Sequence, residues 1–183
     1  IRRIGPVAAL GSDCRQALRE QLCCASDERL VLIAFGGIDM QLPIAKWPPV
    51  AGVRWLVPQA WQLACPNASD FAPLERPFTD ILRSVDAVIA KPGYGTFTEA
   101  ACNRTPVLYM RRQDWPEQDC LISWLQRHAQ CREISEADLL AGHLDGALAA
   151  LWQQIAPPTP VPSGADEAAA ALLPWLTLAE DCG

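Results

Sequence analysis

Histidine is nearly absent, with His128 and His143 the two among 183 residues. No cysteine pair has C-x-x-C spacing, so a structural zinc site lacks a ligand set and no metal or other cofactor is expected. Basic residues fall short of acidic ones, 15 against 21, for a formal charge of -6. A surface that tracks nucleic-acid phosphates needs the opposite balance, which argues against broad nucleic-acid binding. No apolar run approaches the roughly 18 to 20 residues that cross a bilayer, and no secretory signal pattern opens the chain. Also missing are G-x-S-x-G, H-E-x-x-H and a phosphate loop ending in Lys-Ser/Thr, the local signatures of nucleophile, zinc-protease and ATPase chemistry. The chain offers binding groups and no evident general base.

The composition is that of an ordinary globular chain, half of it apolar. A chain this long buries roughly 70% of the surface its unfolded form exposes, so its core needs no covalent staples. Its eight cysteines are therefore expected to be reduced, as in the cytoplasm. Cys102, Cys120 and Cys131 fall in periodic apolar segments and read as small hydrophobes. The first residue is Ile1 rather than Met, and Ile1 to Pro6 reads like a connector entering a domain. The chain is expected to be part of a longer protein.

Strand and helix patterns alternate. Cys14, Leu18 and Leu22 predict an amphipathic helix within 12–25. Leu30 to Phe35 is short, apolar, rich in branched residues and halted by Gly36-Gly37, as befits a strand buried on both faces. Weaker strands are expected at Val53 to Val57 and near Asp70-Phe71, separated by proline-rich stretches at 43–49 and 58–66. Phe78 to Val85 predicts a helix, Ala87 to Ala90 a strand, Thr96 to Asn103 a helix and Val107 to Met110 a strand. A polar loop follows from Arg111 to Gln118. Leu121, Leu125 and Ala129 then mark a helical stripe, with His128 on it. Cys131 to Ile134 is a short last strand, and Leu144, Leu148, Leu151 and Ile155 line one face of the helix after it, which is also where His143 is expected. This alternation predicts an α/β, Rossmann-like parallel sheet with helices on both faces. Residues 1–156 would form that domain, and 157–183 a connector with four prolines followed by a helix near 166–173.

Parallel sheets of this type bind ligands beyond the carboxyl ends of the strands, where the strand order reverses. In a 3-2-1-4-5-6 order, the strands ending at Phe35 and Ala90 are neighbours at that reversal. Their glycine turns, Gly36-Gly37 and Gly93-Tyr94-Gly95-Thr96, are then expected to face each other. Glycine admits close approach to the backbone, and free amides at a helix start favour an anion, so a diphosphate suits the place. Thr96-x-x-Glu99 reads in two ways. It is a capping box, which spacing alone favours, or it leaves Glu99 to accept hydrogen bonds from vicinal ribose hydroxyls. Arg111 and Arg112 are candidates to pair with phosphate, and Glu117 and Gln118 to bond sugar hydroxyls. Lys91 reads equally as solvated or as a phosphate partner. Phe71 either stacks a base or closes the core.

The run Val85 to Ala100, followed by Thr105-Pro106-Val107-Leu108, resembles the nucleotide-sugar half of GT-B glycosyltransferases, family 28 in particular. Lys91-x-Gly93-Tyr94-Gly95-Thr96 with Arg111-Arg112 is also similar to the glycosyltransferase-like amino-terminal region of plant L-arabinokinases. The resemblance covers about Arg3 to Ile155 and is firmest from Asp86 to Gln118. It implies that Gly93, Gly95 and Thr96 adjoin the diphosphate, that Gly36 and Gly37 lie beside it, and that Glu99 binds the ribose. Glu117-Gln118 fall where an acidic or amide pair contacts the donor sugar. The family's loop continues to an Asn-Ala pair, where this chain has Leu121-Ile122. The expected function is donor binding in transfer from a nucleotide-diphosphate sugar, a UDP-sugar foremost, with the acceptor half of the cleft on a preceding domain absent from this chain. Alone the chain would bind nucleotide and turn over nothing. The alternatives are a noncatalytic nucleotide-sugar-binding or interaction module, or a nucleotide-sugar hydrolase or epimerase.

Overall fold

The computed structural model describes residues 2–36, 40–61 and 65–180. Leu30, Val31, Leu32 and Ile33 are wholly buried, because the strand Arg29–Ala34 (β1) is covered on both faces and alternates its side chains between them. Leu30, Leu32 and Ala34 join one core, Val31, Ile33 and Phe35 the other. Parallel strands flank β1 on both sides. Val53–Val57 (β2) and Ala68–Asp70 (β3) lie to one side, and Ala87–Ala90 (β4), Val107–Tyr109 (β5) and Cys131–Glu133 (β6) to the other. The order β3-β2-β1-β4-β5-β6 is the one expected from the sequence.

Four helices cover the Leu30 face: Arg15–Gln21 (α1), Phe78–Ser84 (α2), Tyr94–Cys102 (α3) and Gln118–His128 (α4). They contribute Leu18, Leu82, Phe97 and Leu125 to that core. Glu136–Ala141 (α5) and Asp145–Trp152 (α6) cover the other face with Leu139, Leu148 and Leu151, beside a Trp47–Trp55 pair packed edge to face at 5.2 Å. Each such side chain contributes about 1.5 to 3 kcal/mol by leaving water, so both helical layers stabilise the sheet between them.

Several expectations need correction. α1 is shorter than 12–25 because Cys23 turns the chain with a positive φ of 51°. α3 begins at Tyr94, with Gly93 as its cap and no side-chain cap bond. Thr96 therefore lies inside the first turn, and the capping box does not form. Between β6 and α6 the chain makes an unforeseen helix, α5, whose start is capped by Ser135 accepting from the Asp138 amide. α6 stops at Trp152, so Leu144, Leu148 and Leu151 are buried but Ile155 is 95% exposed. His143 sits in the turn between α5 and α6 rather than on a helix, and Cys120 is exposed rather than packed.

Beyond the prolines, Gly164–Glu180 (α7) is longer than expected. Its first turn holds the amino-terminal segment: Gly164 N donates to Pro6 O at 3.1 Å and Gly5 N to the Glu167 carboxylate at 3.2 Å. That segment then runs across α2 and α3. Gly11 passes so close to the α2 backbone that a Cβ there would lie 2.1 Å from Thr79 O. Among the described residues no helix is long and apolar enough to cross a membrane.

Candidate functional site

The pairing of Ala34 with Ala90 aligns the carboxyl ends of β1 and β4, so the residues that follow them emerge side by side. Lys91 Nζ lies 5.5 Å from the centroid of the Phe35 ring. Gly36 turns the chain at φ +62°, a conformation that costs other residues about 1 to 2 kcal/mol. Gly37 lies outside the described residues. Across the gap stands the start of α3, whose first intrahelical bond runs from Phe97 N to Gly93 O. The amides of Tyr94, Gly95 and Thr96 precede that bond and sit at the positive end of the helix dipole. A Cβ placed at Gly95 would meet nothing within 4 Å. The fold itself does not require glycine there.

Two further groups on α3 are without partners. The hydroxyl of Thr96 and the carboxylate of Glu99 have no hydrogen bond or ion pair among the described residues. Glu99 is half-buried, and desolvation raises its carboxyl pKa above the ordinary value. An unpaired carboxylate in such surroundings has spare acceptor capacity for hydroxyl donors.

The loop between β5 and α4 is more internally satisfied. Arg111 is bonded to both Asp119 and Glu133, so its charge is already compensated. Arg112 pairs with Asp114 at 3.6 Å, and its guanidinium lies 5.3 Å from the Trp115 ring centroid. Gln118 spends its amide on the loop backbone, accepting from Arg112 N at 2.9 Å and donating to Arg112 O at 2.6 Å. Glu117 accepts from the Tyr94 hydroxyl at 3.1 Å, and the Tyr94 ring meets Trp115 edge to face at 5.6 Å. These contacts draw the loop against the start of α3.

The structure thus brings together Gly36, Lys91, Gly93, Gly95 and Thr96, with Glu99 on the same helix and Glu117 joined to it through Tyr94. Phe71, at the end of β3, packs against the Leu30-face core. Tyr94 and Trp115 were not singled out from sequence as functional residues, although each is an aromatic within a turn or polar loop. A cleft of about 440 Å³ lined by Arg104, His128, Gln130 and Pro157 to Thr159 lies beside Thr105, at the amino end of β5, opposite these turns. Among the described residues no group of three or more His, Cys, Asp or Glu side chains is placed to hold a metal ion.

No protein-family model matches the chain. It is similar to an L-arabinokinase of Arabidopsis thaliana, 26% identical over a 137-residue alignment that covers 70% of this chain and 12% of that protein. Among solved structures it is similar to the glycosyltransferase of kitacinnamycin, with TM-score 0.57, 18% identity, and coverage of 83% of this chain and 41% of that one. It is also similar to the calicheamicin glycosyltransferase CalG4, with TM-score 0.55, 12% identity, and coverage of 81% and 38%. The fold is therefore the α/β, Rossmann-like fold of GT-B glycosyltransferases. The chain spans well under two thirds of the length of each of these proteins.

Proposed function

We propose that this chain is the donor-binding domain of a glycosyltransferase that uses a nucleotide-diphosphate sugar, with UDP as the carrier. The observation that carries the reading is that the Gly36 turn and the free amides at the start of α3 follow the carboxyl ends of the paired strands β1 and β4, where the strand order reverses. The diphosphate would lie on the amides of residues 94–96 beside Lys91 and the Gly36 turn. Glu99 would accept from the two ribose hydroxyls, and Glu117 from the donor sugar. Phe71 remains the candidate for the base. Arg112 is better placed than Arg111 to reach a phosphate, since Arg111 already faces two carboxylates. Residues 1–156 would carry all of this. The acceptor half of the cleft would be supplied by a preceding domain, and the protein would act in the cytoplasm.

A second reading keeps the binding and drops the transfer. Leu121 and Ile122, where the family 28 pattern has Asn-Ala, are both buried in the core, so neither presents a polar group to a donor sugar. This favours a nucleotide-sugar-binding module. Hydrolase or epimerase activity on the same scaffold is distinguished by its products.

The test is a titration with UDP, GDP and dTDP, following backbone amide resonances. Shifts concentrated at residues 93–99 support the reading. Unmoved resonances there at millimolar ligand overturn it.

A further inference from the structure

Tyr94 is an exposed aromatic residue at the first position of α3, 56% accessible. Burial explains little of its presence. Its contacts are directed to one place, the β5–α4 loop. The hydroxyl donates to Glu117, and the ring edge meets Trp115. Behind that pair the loop is already braced, by Arg112 over Trp115 and by the two bonds of Gln118 to the Arg112 backbone. Glu117 itself is exposed at the start of α4, where a carboxylate without a partner samples many rotamers. One hydrogen bond from a phenol on a rigid helix removes much of that freedom. It leaves the remaining acceptor sites of the carboxylate open.

We propose that Tyr94 is a positioning residue for Glu117, holding that carboxylate beside the start of α3 so that it selects among the sugars of bound nucleotide-diphosphate sugars. The inference rests on the nucleotide-sugar reading above and adds the device that sets sugar selectivity. A phenol keeps its proton in neutral water, and the bond to Glu117 raises its pKa further, so the hydroxyl remains a donor. The backbone amides that would take the diphosphate do not depend on the phenol oxygen. Nucleotide affinity and sugar preference are therefore separable.

The experiment compares the chain with its Tyr94→Phe variant, which keeps the ring and loses the donor. Binding of UDP, UDP-glucose, UDP-galactose and UDP-N-acetylglucosamine is measured, together with hydrogen exchange of amides 112–118 without ligand. The expected result is a smaller loss of affinity for UDP than for the preferred UDP-sugar. The advantage of the preferred UDP-sugar over UDP should shrink by about fivefold to tenfold, the scale of one ordinary hydrogen bond, and exchange at 113–117 should quicken. Equal losses for UDP and UDP-sugars overturn the inference, as does an unchanged sugar preference or a parent chain that binds all four ligands alike. A parent chain that binds none of them defeats both the nucleotide-sugar reading and the selective role. Exchange then tests the bridge alone, and unaltered protection at 113–117 removes that as well.

Discussion

The ammonium of Lys91 stands 5.5 Å from the centre of the Phe35 ring, so the turns after β4 and β1 are in contact through side chains as well as through the sheet. Among the described residues Lys91 has no carboxylate within ion-pair distance. An exposed cation over a ring is stabilised by about 0.5 to 1 kcal/mol, less than a charge-assisted bond to phosphate contributes. A diphosphate in the proposed site would therefore compete for the ammonium. Lys91→Met should weaken UDP binding about fivefold. It should also flatten the dependence of affinity on salt, because one screened charge pair is removed. Calorimetric titrations at low and moderate ionic strength check both, and an unchanged salt slope counts against a phosphate role for Lys91.

Gly95 separates the needs of the fold from those of a ligand. Its position is helical, and a Cβ there meets no atom within 4 Å. Alanine is the better helix former by about 1 kcal/mol in a helix interior and by less in a first turn. Gly95→Ala should therefore unfold at the same or a slightly higher urea concentration. The added methyl occupies the approach of a diphosphate to the amides, so UDP affinity should fall about tenfold, on the scale of one lost charge-assisted bond. A destabilised variant, or one that binds UDP normally, contradicts this account.

The sheet was legible because its signals are local. Leu30 to Phe35 and Ala87 to Ala90 are apolar runs halted by Gly36 and by Lys91-Pro92, and their alternation with helices implies a parallel sheet covered on both faces. The start of α3 was misread because Thr96-x-x-Glu99 has the form of a capping box. The helix instead begins at Tyr94, with Phe97 anchored in the core at full burial, and this packing outweighs the weak preferences of Tyr94 and Gly95. α5 buries only Leu139, too little to produce a visible period. Its Ser135 cap was the available signal. At the site, the glycines and Glu99 were readable as residue types. The bond from Tyr94 to Glu117 was not, because it depends on how the loop after β5 folds back onto the helix after β4.

Glu99 should respond to pH in two opposed ways. Burial raises its folded-state pKa above the unfolded value, so the folded chain holds the proton more tightly than the unfolded one. The stability linked to that proton is complete below the unfolded pKa and is lost as pH rises through the folded pKa. Glu99→Gln removes the charge, and at neutral pH it should stabilise the chain by under about 0.5 kcal/mol, since solvent screens a group this exposed. The proposed ribose recognition would use the charged form, which accepts with both oxygens. UDP affinity should therefore fall as pH drops through the raised folded pKa, and at neutral pH it should fall about tenfold in Glu99→Gln. Thermal melts and UDP titrations from pH 4 to 8 measure both trends. A variant that melts lower, or a parent chain whose UDP affinity is flat over that range, contradicts them.

Asn103 joins the amino-terminal segment to the helix that carries the proposed site. It caps α3 and is 3% exposed. Its side-chain oxygen accepts from Gly11 N at 2.9 Å, while its amide donates to Ala9 O and to Glu99 O, each at 2.9 Å. Asn103→Ala strands the Gly11 amide where the chain runs too close to α2 to shift away. Leaving buried polar groups unpaired costs about 1 to 3 kcal/mol. At about 2 to 4 °C per kcal/mol for a chain of this size, the melting temperature should drop by about 2 to 12 °C. The loss should begin locally, with faster hydrogen exchange at residues 7–12 before the sheet opens. UDP affinity should hold within about twofold, since the free amides lie at the other end of α3 and Asn103 N still bonds Glu99 O. A variant with unchanged melting temperature and unchanged exchange at 7–12 would mean that the segment is held by its other bonds, from Gly5 and Pro6 to α7, from Thr98 to Val7 O and from Ser12 N to Asp80.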